Sequence, residues 1–123
     1  MVKCYTQKCD DLLEVRVEIK GEEIGYMQLV SSNNTAEIRF LSVHNAYRRK
    51  GYAKMMLGKA IEMLHKQTLV KNISVVPHPE DVLSGELISM EELYAMYTKL
   101  GFDFTDKEID KNKLKQMILD IEW

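Results

Sequence analysis

The chain has 123 residues, 46% of them apolar and 29% charged, with a formal net charge of −2. That length suits one domain over residues 1–123 and leaves no room for a second core, and the apolar share is too high for a disordered chain. The near balance of charge excludes a nucleic-acid binder that works by bulk positive charge, and no apolar run approaches the roughly 20 residues that span a bilayer.

The first residues, MVKCYTQKCDD, lack the apolar stretch of a secretory leader. Cys4 and Cys9 have neither the spacing of a zinc site nor a second cysteine pair nearby, so free thiols, no metal and a cytoplasmic location are expected. The stretch VKCYT reads as an edge strand. LLEVRVEIK (12–20) alternates Leu13, Val15, Val17 and Ile19 with Glu14, Arg16, Glu18 and Lys20, the period of a strand with one buried face. A turn at Gly21–Glu23 leads into a second strand over 24–30, making a hairpin. The polar cluster 31–35 is a further turn, and AEIRFLSV (36–43) is the next strand of the meander.

The period then changes. Ala53, Met56, Leu57, Ala60, Ile61 and Leu64 recur at spacings of three and four, which predicts an amphipathic helix over 52–66. LVKNISVV (69–76) is a short β-branched strand, so strand, helix and strand form a right-handed crossover with local parallel pairing. A loop with acidic residues follows. Ser89 and Glu92 have the spacing of a capping box at the start of a helix over 90–100, which stops at Gly101. Residues 102–104 and 116–123 are the last two strands, paired as a hairpin. The organisation is α+β.

Between the strand ending at Val43 and the helix lies YRRKGYA (47–53). Helix N-termini carry unpaired N–H groups and partial positive charge, and Gly51 lets backbone approach a ligand. On its own residues the segment reads either as a solvated basic turn or as an anion cradle for a pyrophosphate. It is neither a Walker loop nor a dinucleotide fingerprint.

Two segments resemble signatures of the GCN5-related N-acetyltransferase (GNAT) superfamily. AEIRFLSVHNAYRRKGYAKMML resembles its acetyl-CoA-binding segment: Leu41 and Val43 fall on its L-x-V positions, and Arg48, Gly51 and Ala53 on its [Q/R]-x-x-G-x-[G/A] positions. LYAMYTKLGF (93–102) resembles the second signature through Tyr97, Lys99, Gly101 and Phe102, with Met96 in place of the usual leucine. The resemblance implies a GNAT-like mixed, mostly antiparallel sheet of six or seven strands with two main helices. It also implies a bulge that splays the strand at 36–43 from the strand at 69–76.

Acetyl-CoA is the implied cosubstrate. Leu41, Val43, Arg48, Arg49, Lys50, Gly51, Tyr52 and Ala53 are implied to bind it, the Val43 N–H polarising the thioester carbonyl. Tyr97 is the implied acid for the leaving thiolate, a phenol of pKa about 10 facing a thiol of pKa about 8.5–9. Glu37, six residues before Val43, is the candidate base that neutralises the amine, with His44 and His78 as alternatives. The family's two helices between its first and second strands are essentially missing, so the acceptor side is expected to be open or completed by a partner subunit in a homodimer. Glu80 and Asp81, in the loop after the crossover, favour a cationic acceptor. The expected activity is transfer of an acetyl group to a primary amine by direct attack in a ternary complex, on a small polyamine or diamine. The alternatives are a protein or peptide acceptor (a lysine or an N-terminus) and a non-catalytic acyl-CoA-binding regulatory module.

Overall fold

The computed structural model describes residues 2–32, 34–48, 50–67, 70–77, 90–105 and 116–121, apart from the side chains of Asn45 and Gln67. In chain order these form β1 (Val2–Cys9), β2 (Leu12–Ile19), β3 (Glu22–Ser32) and β4 (Thr35–Val43). A short 3-10 turn (Asn45–Tyr47), α1 (Tyr52–Gln67), β5 (Asn72–Val75), α2 (Met90–Lys99), β6 (Asp103–Phe104) and β7 (Met117–Asp120) follow. The strands make one sheet in the order β1-β2-β3-β4-β5-β7-β6. Every neighbouring pair is antiparallel except β4 and β5, the crossover pair. The expected α+β architecture with two main helices is therefore observed.

Some boundaries differ. The edge strand runs on to Cys9 and meets β2 through Asp10 and Asp11, so no helix intervenes between the first two strands. The β2–β3 turn is Lys20-Gly21, with φ of 54° and 81°. Positive φ at both central residues is the turn whose twist matches that of the strands, which draws Glu22 and Glu23 into β3. The strand expected over 69–76 is confined to Asn72–Val75, and β7 lies between β5 and β6. Ser89 of the expected capping box lies outside the described residues.

One face of the sheet carries the core. Pairing puts Val15, Met27 and Leu41 in one row and Leu13, Leu29 and Ile38 in another, all buried. Met56, Leu57, Ala60 and Leu64 of α1 close over them. A Cβ on Gly25 would meet Met56 Cε at 3.2 Å, so α1 lies directly on β3 at that point. Each fully buried side chain of this size stabilises by about 1.5–3 kcal/mol. α2 covers the same face further along: Tyr94 meets Phe104 edge-on at 5.2 Å, and Phe104 is paired with Met117. Two right-handed crossovers that move the same way along a sheet place their helices on one side.

The opposite face bears the alternate residues, and over β2 and β3 these are polar. Arg16 Nη2 donates to Glu14 Oε2 at 2.8 Å and Arg16 Nη1 to Gln7 Oε1 at 2.9 Å, while Arg16 Nε pairs with Glu23 Oε1 at 2.9 Å. Tyr26 donates to Glu14 at 2.6 Å, and Gln28 donates to the Tyr26 hydroxyl at 3.2 Å. No described helix covers this face.

Candidate active site

The bond pattern of β4 creates a gap in the sheet. Its parallel pairing with β5 covers Thr35↔Asn72, Ala36↔Ile73 and Glu37↔Ser74, and β4 then continues to Val43 without a partner on that side among the described residues. The cause lies on the other edge. Leu29 pairs with Ile38 but Gln28 with Phe40, so Arg39 is an extra residue in β4. Such a bulge bends the strand and raises its twist, and the bend turns the rest of β4 away from β5.

The bulge also fixes which groups enter the gap. His44 N–H donates to Ile24 O at 2.7 Å, so the main chain at position 44 points at β3. In an antiparallel ladder successive residues alternate in this respect. The N–H and C=O groups of Val43 and Leu41 therefore point away from β3 and into the gap. The side chain of Leu41 remains in the core at 3% exposure.

The chain leaves β4 through a tied loop. Arg48 Nε donates to the Val43 carbonyl at 3.3 Å, and Tyr47 N–H donates to His44 O at 2.8 Å. The Lys50 ammonium lies 5.8 Å from the centroid of the Tyr47 ring, which meets Tyr52 edge-on at 6.1 Å. Gly51 has φ +87°, a left-handed conformation that glycine adopts without penalty. Apart from its chain neighbours, no heavy atom of the described residues comes within 4 Å of where its Cβ would sit, so the space beside the helix start is open among them. α1 begins at Tyr52, and its first bond joins Met55 N–H to Gly51 O at 3.0 Å. The first amides of a helix lack intrahelical partners, and they are the groups that a cradle for an anion would use. Tyr52 and Ala53 are half-buried against the core. Arg49 lies outside the described residues.

The end of α2 explains the second signature in physical terms. Phe102 N–H donates to Tyr97 O at 3.0 Å and Gly101 N–H to Thr98 O at 3.0 Å, with Gly101 at φ +104°. This is a Schellman cap, whose usual apolar contact between the third-last helical residue and the second beyond the cap is here the Tyr97–Phe102 ring pair at 5.4 Å. Tyr97 is thus held at both backbone and ring, and it is 3% exposed.

Glu37 sits at the last paired position of β4 and β5, where the gap opens, on the helix-free face. Its carboxylate lies 3.7 Å from Arg39, and its side chain is 43% exposed. His44 is exposed, and its Nδ1 accepts from Ala46 N–H at 3.3 Å, which leaves the proton of the neutral ring on Nε2. Nδ1 is thereby occupied and Nε2 carries a proton, which disfavours His44 as the base. His78, Glu80 and Asp81 lie outside the described residues.

One feature escaped the sequence reading. A cavity of about 510 Å³ opens on the helix-free face, lined by Arg16, Glu23, Tyr26, Phe40, Ser42 and His44 among others. Burial, and then the hydrogen bond to Glu14, raise the Tyr26 phenol above its ordinary value. The Tyr26 hydrogen bond is in turn the main cause that holds the Glu14 carboxyl below the carboxylate range. The signal was present in the alternate polar residues of 12–20, which read as a solvent face because nothing local marks a concavity.

A family model, the acetyltransferase (GNAT) domain, matches residues 12–103. The chain belongs to the GNAT acetyltransferase family. No curated protein sequence matches it significantly. Among solved structures it is similar to PaiA N-acetyltransferase of Thermoplasma acidophilum in complex with coenzyme A, at 21% identity and a TM-score of 0.71, over 90% of this chain and 62% of that one. It thus spans less than two thirds of that enzyme. It is similar over 98% of both chains to a GNAT family acetyltransferase of Elizabethkingia anophelis with acetyl-CoA bound, at 14% identity and a TM-score of 0.69. The ribosomal-protein-S18-alanine N-acetyltransferase of Escherichia coli matches at 17% identity and a TM-score of 0.68, over 94% of this chain and 73% of that one. At these identities the likenesses establish the fold.

Proposed function

We propose that this protein is an acetyl-CoA-dependent N-acetyltransferase whose acceptor is the primary amine of a small cationic molecule, a diamine or polyamine. The observation that carries the reading is the set of Leu41 and Val43 main-chain groups aimed into the β4–β5 gap. It lies one tied loop away from a helix N-terminus with clear space at Gly51. In this reading the gap takes the acetyl-pantetheine arm, and the first amides of α1, with Arg48, Arg49 and Lys50, take the phosphates. The Val43 N–H stabilises negative charge on the thioester oxygen, a role in which a fixed amide acts strongly because it needs no reorganisation. Tyr97 gives its proton to the departing sulfur. Glu37, directly or through a water, takes the proton of the attacking ammonium, which at pH 7 is mostly charged. The family and the two coenzyme-bound neighbours support the cosubstrate. The acidic Glu80 and Asp81 support a cationic acceptor.

A thiol-release assay with acetyl-CoA against diamines, polyamines, lysine peptides and aminoglycosides tests this. Turnover is expected on the small cationic amines. Tyr97→Phe is expected to lower kcat by about a hundredfold, the usual scale for a lost general acid, with the acetyl-CoA affinity retained. Binding of acetyl-CoA without turnover on any amine would make the protein a regulatory module, and absence of binding would overturn the reading entirely.

A further inference from the structure

The helix-free face, not the loop at Glu80 and Asp81 alone, carries a place for the acceptor. We propose that the cavity between β2, β3 and β4 is the acceptor subsite, and that Glu23 selects amines with a second cationic centre. The inference rests on the acetyltransferase reading above.

Position comes first. Phe40, Ser42 and His44 line the cavity and alternate along the chain with Leu41 and Val43, whose main-chain groups face the gap. A molecule in the cavity therefore lies against the strand segment that would polarise the thioester. Gly25 also lines it, directly across from Val43, and Glu23 is two residues further along β3. The register shift at Val17/Glu18 makes Ile24 an extra residue of β3, so the Glu23 end stands closer to the Val43 level than the roughly 7 Å of two regular strand steps. That span fits a short alkyl chain between two amines.

Charge decides the class of ligand. Arg16 is the only lysine or arginine among the described residues that line the cavity. All three of its nitrogens are engaged, by Glu14, Gln7 and Glu23. Two of its five N–H donors are left, so an incoming carboxylate would share the guanidinium with the two carboxylates already on it. The carboxylates also have capacity left. Among the described residues Glu23 uses only Oε1, on Arg16, and Glu14 uses only Oε2, for both Arg16 and Tyr26. The Arg16 guanidinium and its two carboxylate partners, Glu23 in the lining and Glu14 outside it, together carry a net charge of −1, which favours a cation. Tyr26 and Phe40 line the cavity on the side of the Val43 level away from Glu23, and their ring faces attract an ammonium.

The test compares putrescine with n-butylamine as acceptors on the same preparation, so that any loss of folded protein cancels from the ratio of their kcat/KM values. The wild-type ratio is expected to favour putrescine. Glu23→Gln should lower it about fivefold, the upper end for a half-exposed ion pair, and Glu23→Lys should lower it further. Raising the salt concentration should erode the wild-type preference but leave the ratio of Glu23→Gln flat. An unchanged ratio in both variants, with amine acetylation intact, would overturn the subsite and leave the acetyltransferase reading standing. Absence of turnover on every amine would overturn that reading and the subsite with it.

Discussion

Replacing Gly101 by alanine probes the cap that holds Tyr97. Gly101 has φ +104°, and a Cβ there would lie 3.2 Å from Leu119 Cδ1. An L-residue forced into left-handed backbone loses about 1–2 kcal/mol. The contact with Leu119 adds less, since the far end of that side chain can shift by a few tenths of an ångström. The sum is about 2 kcal/mol, or a fall in Tm of roughly 8 °C at the ~4 °C per kcal/mol expected for a domain of this size. Urea unfolding followed by circular dichroism measures it. Gly51→Ala is the matched control, because Gly51 has φ +87° and, its chain neighbours apart, no atom of the described residues within 4 Å of its Cβ position. It should lose about 1–2 kcal/mol through backbone strain alone. Gly101→Asn should be milder, since asparagine tolerates this conformation. Should Gly101→Ala change stability by less than about 0.5 kcal/mol, the cap is not what holds the end of α2. If the cap does position the Tyr97 phenol, Gly101→Ala should also lower kcat more than it changes the KM for acetyl-CoA.

Gly58 offers the opposite sign. It is exposed inside α1, and a Cβ there meets nothing within 4 Å, so Gly58→Ala should raise stability by about 0.5–1 kcal/mol; a loss in the same urea titration would assign the glycine a role that its surroundings do not show. Tyr26→Phe removes the main cause that lowers the Glu14 pKa. A lowered folded-state pKa contributes stability that is present above the ordinary value of 4.5 and lost as the pH falls through the folded value. The wild type should therefore lose its advantage over Tyr26→Phe on going from neutral pH to about pH 3, and a gap that is independent of pH would show that the pair does not couple to folding.

The sheet and both helices were legible because each periodic stretch is long enough to fix its own period. The row Leu13, Val15, Val17 and the helix row Met56, Ala60, Leu64 each mark a single face. The β4–β5 gap was legible only through the family resemblance. Its local cause, the extra residue Arg39, leaves a faint trace in the sequence: the apolar alternation of Ala36 and Ile38 changes phase at Phe40-Leu41. A break of that kind does not say which neighbouring strand will be lost. Nor could local pattern place β7 between β5 and β6, since that order depends on a pairing between segments more than forty residues apart in the chain (Asn72 with Asp120). The cavity escaped for a related reason. Its walls come from β2, β3 and β4, and each contributes polar residues that separately look like solvent positions.

The uncovered face has a consequence for how selectivity can arise. In a closed site charges act in a low dielectric, where one well-placed carboxylate is worth far more than in water. Here Glu23 is 49% exposed at its side chain, and no described helix lies over it. Its pull on a distant ammonium is therefore screened and modest. Discrimination by charge alone could reach only severalfold. If the cavity takes the acceptor, sharper selection must come from shape, with Tyr26 and Phe40 walling it on the side of the Val43 level away from Glu23. The network that holds Tyr26 then matters more than the charge at the rim. Tyr26 is tied to Glu14, Glu14 to Arg16, and Arg16 to Gln7 on the edge strand. That lattice gives an open face the rigidity that a covering helix would otherwise supply, and it does so with groups that water can reach.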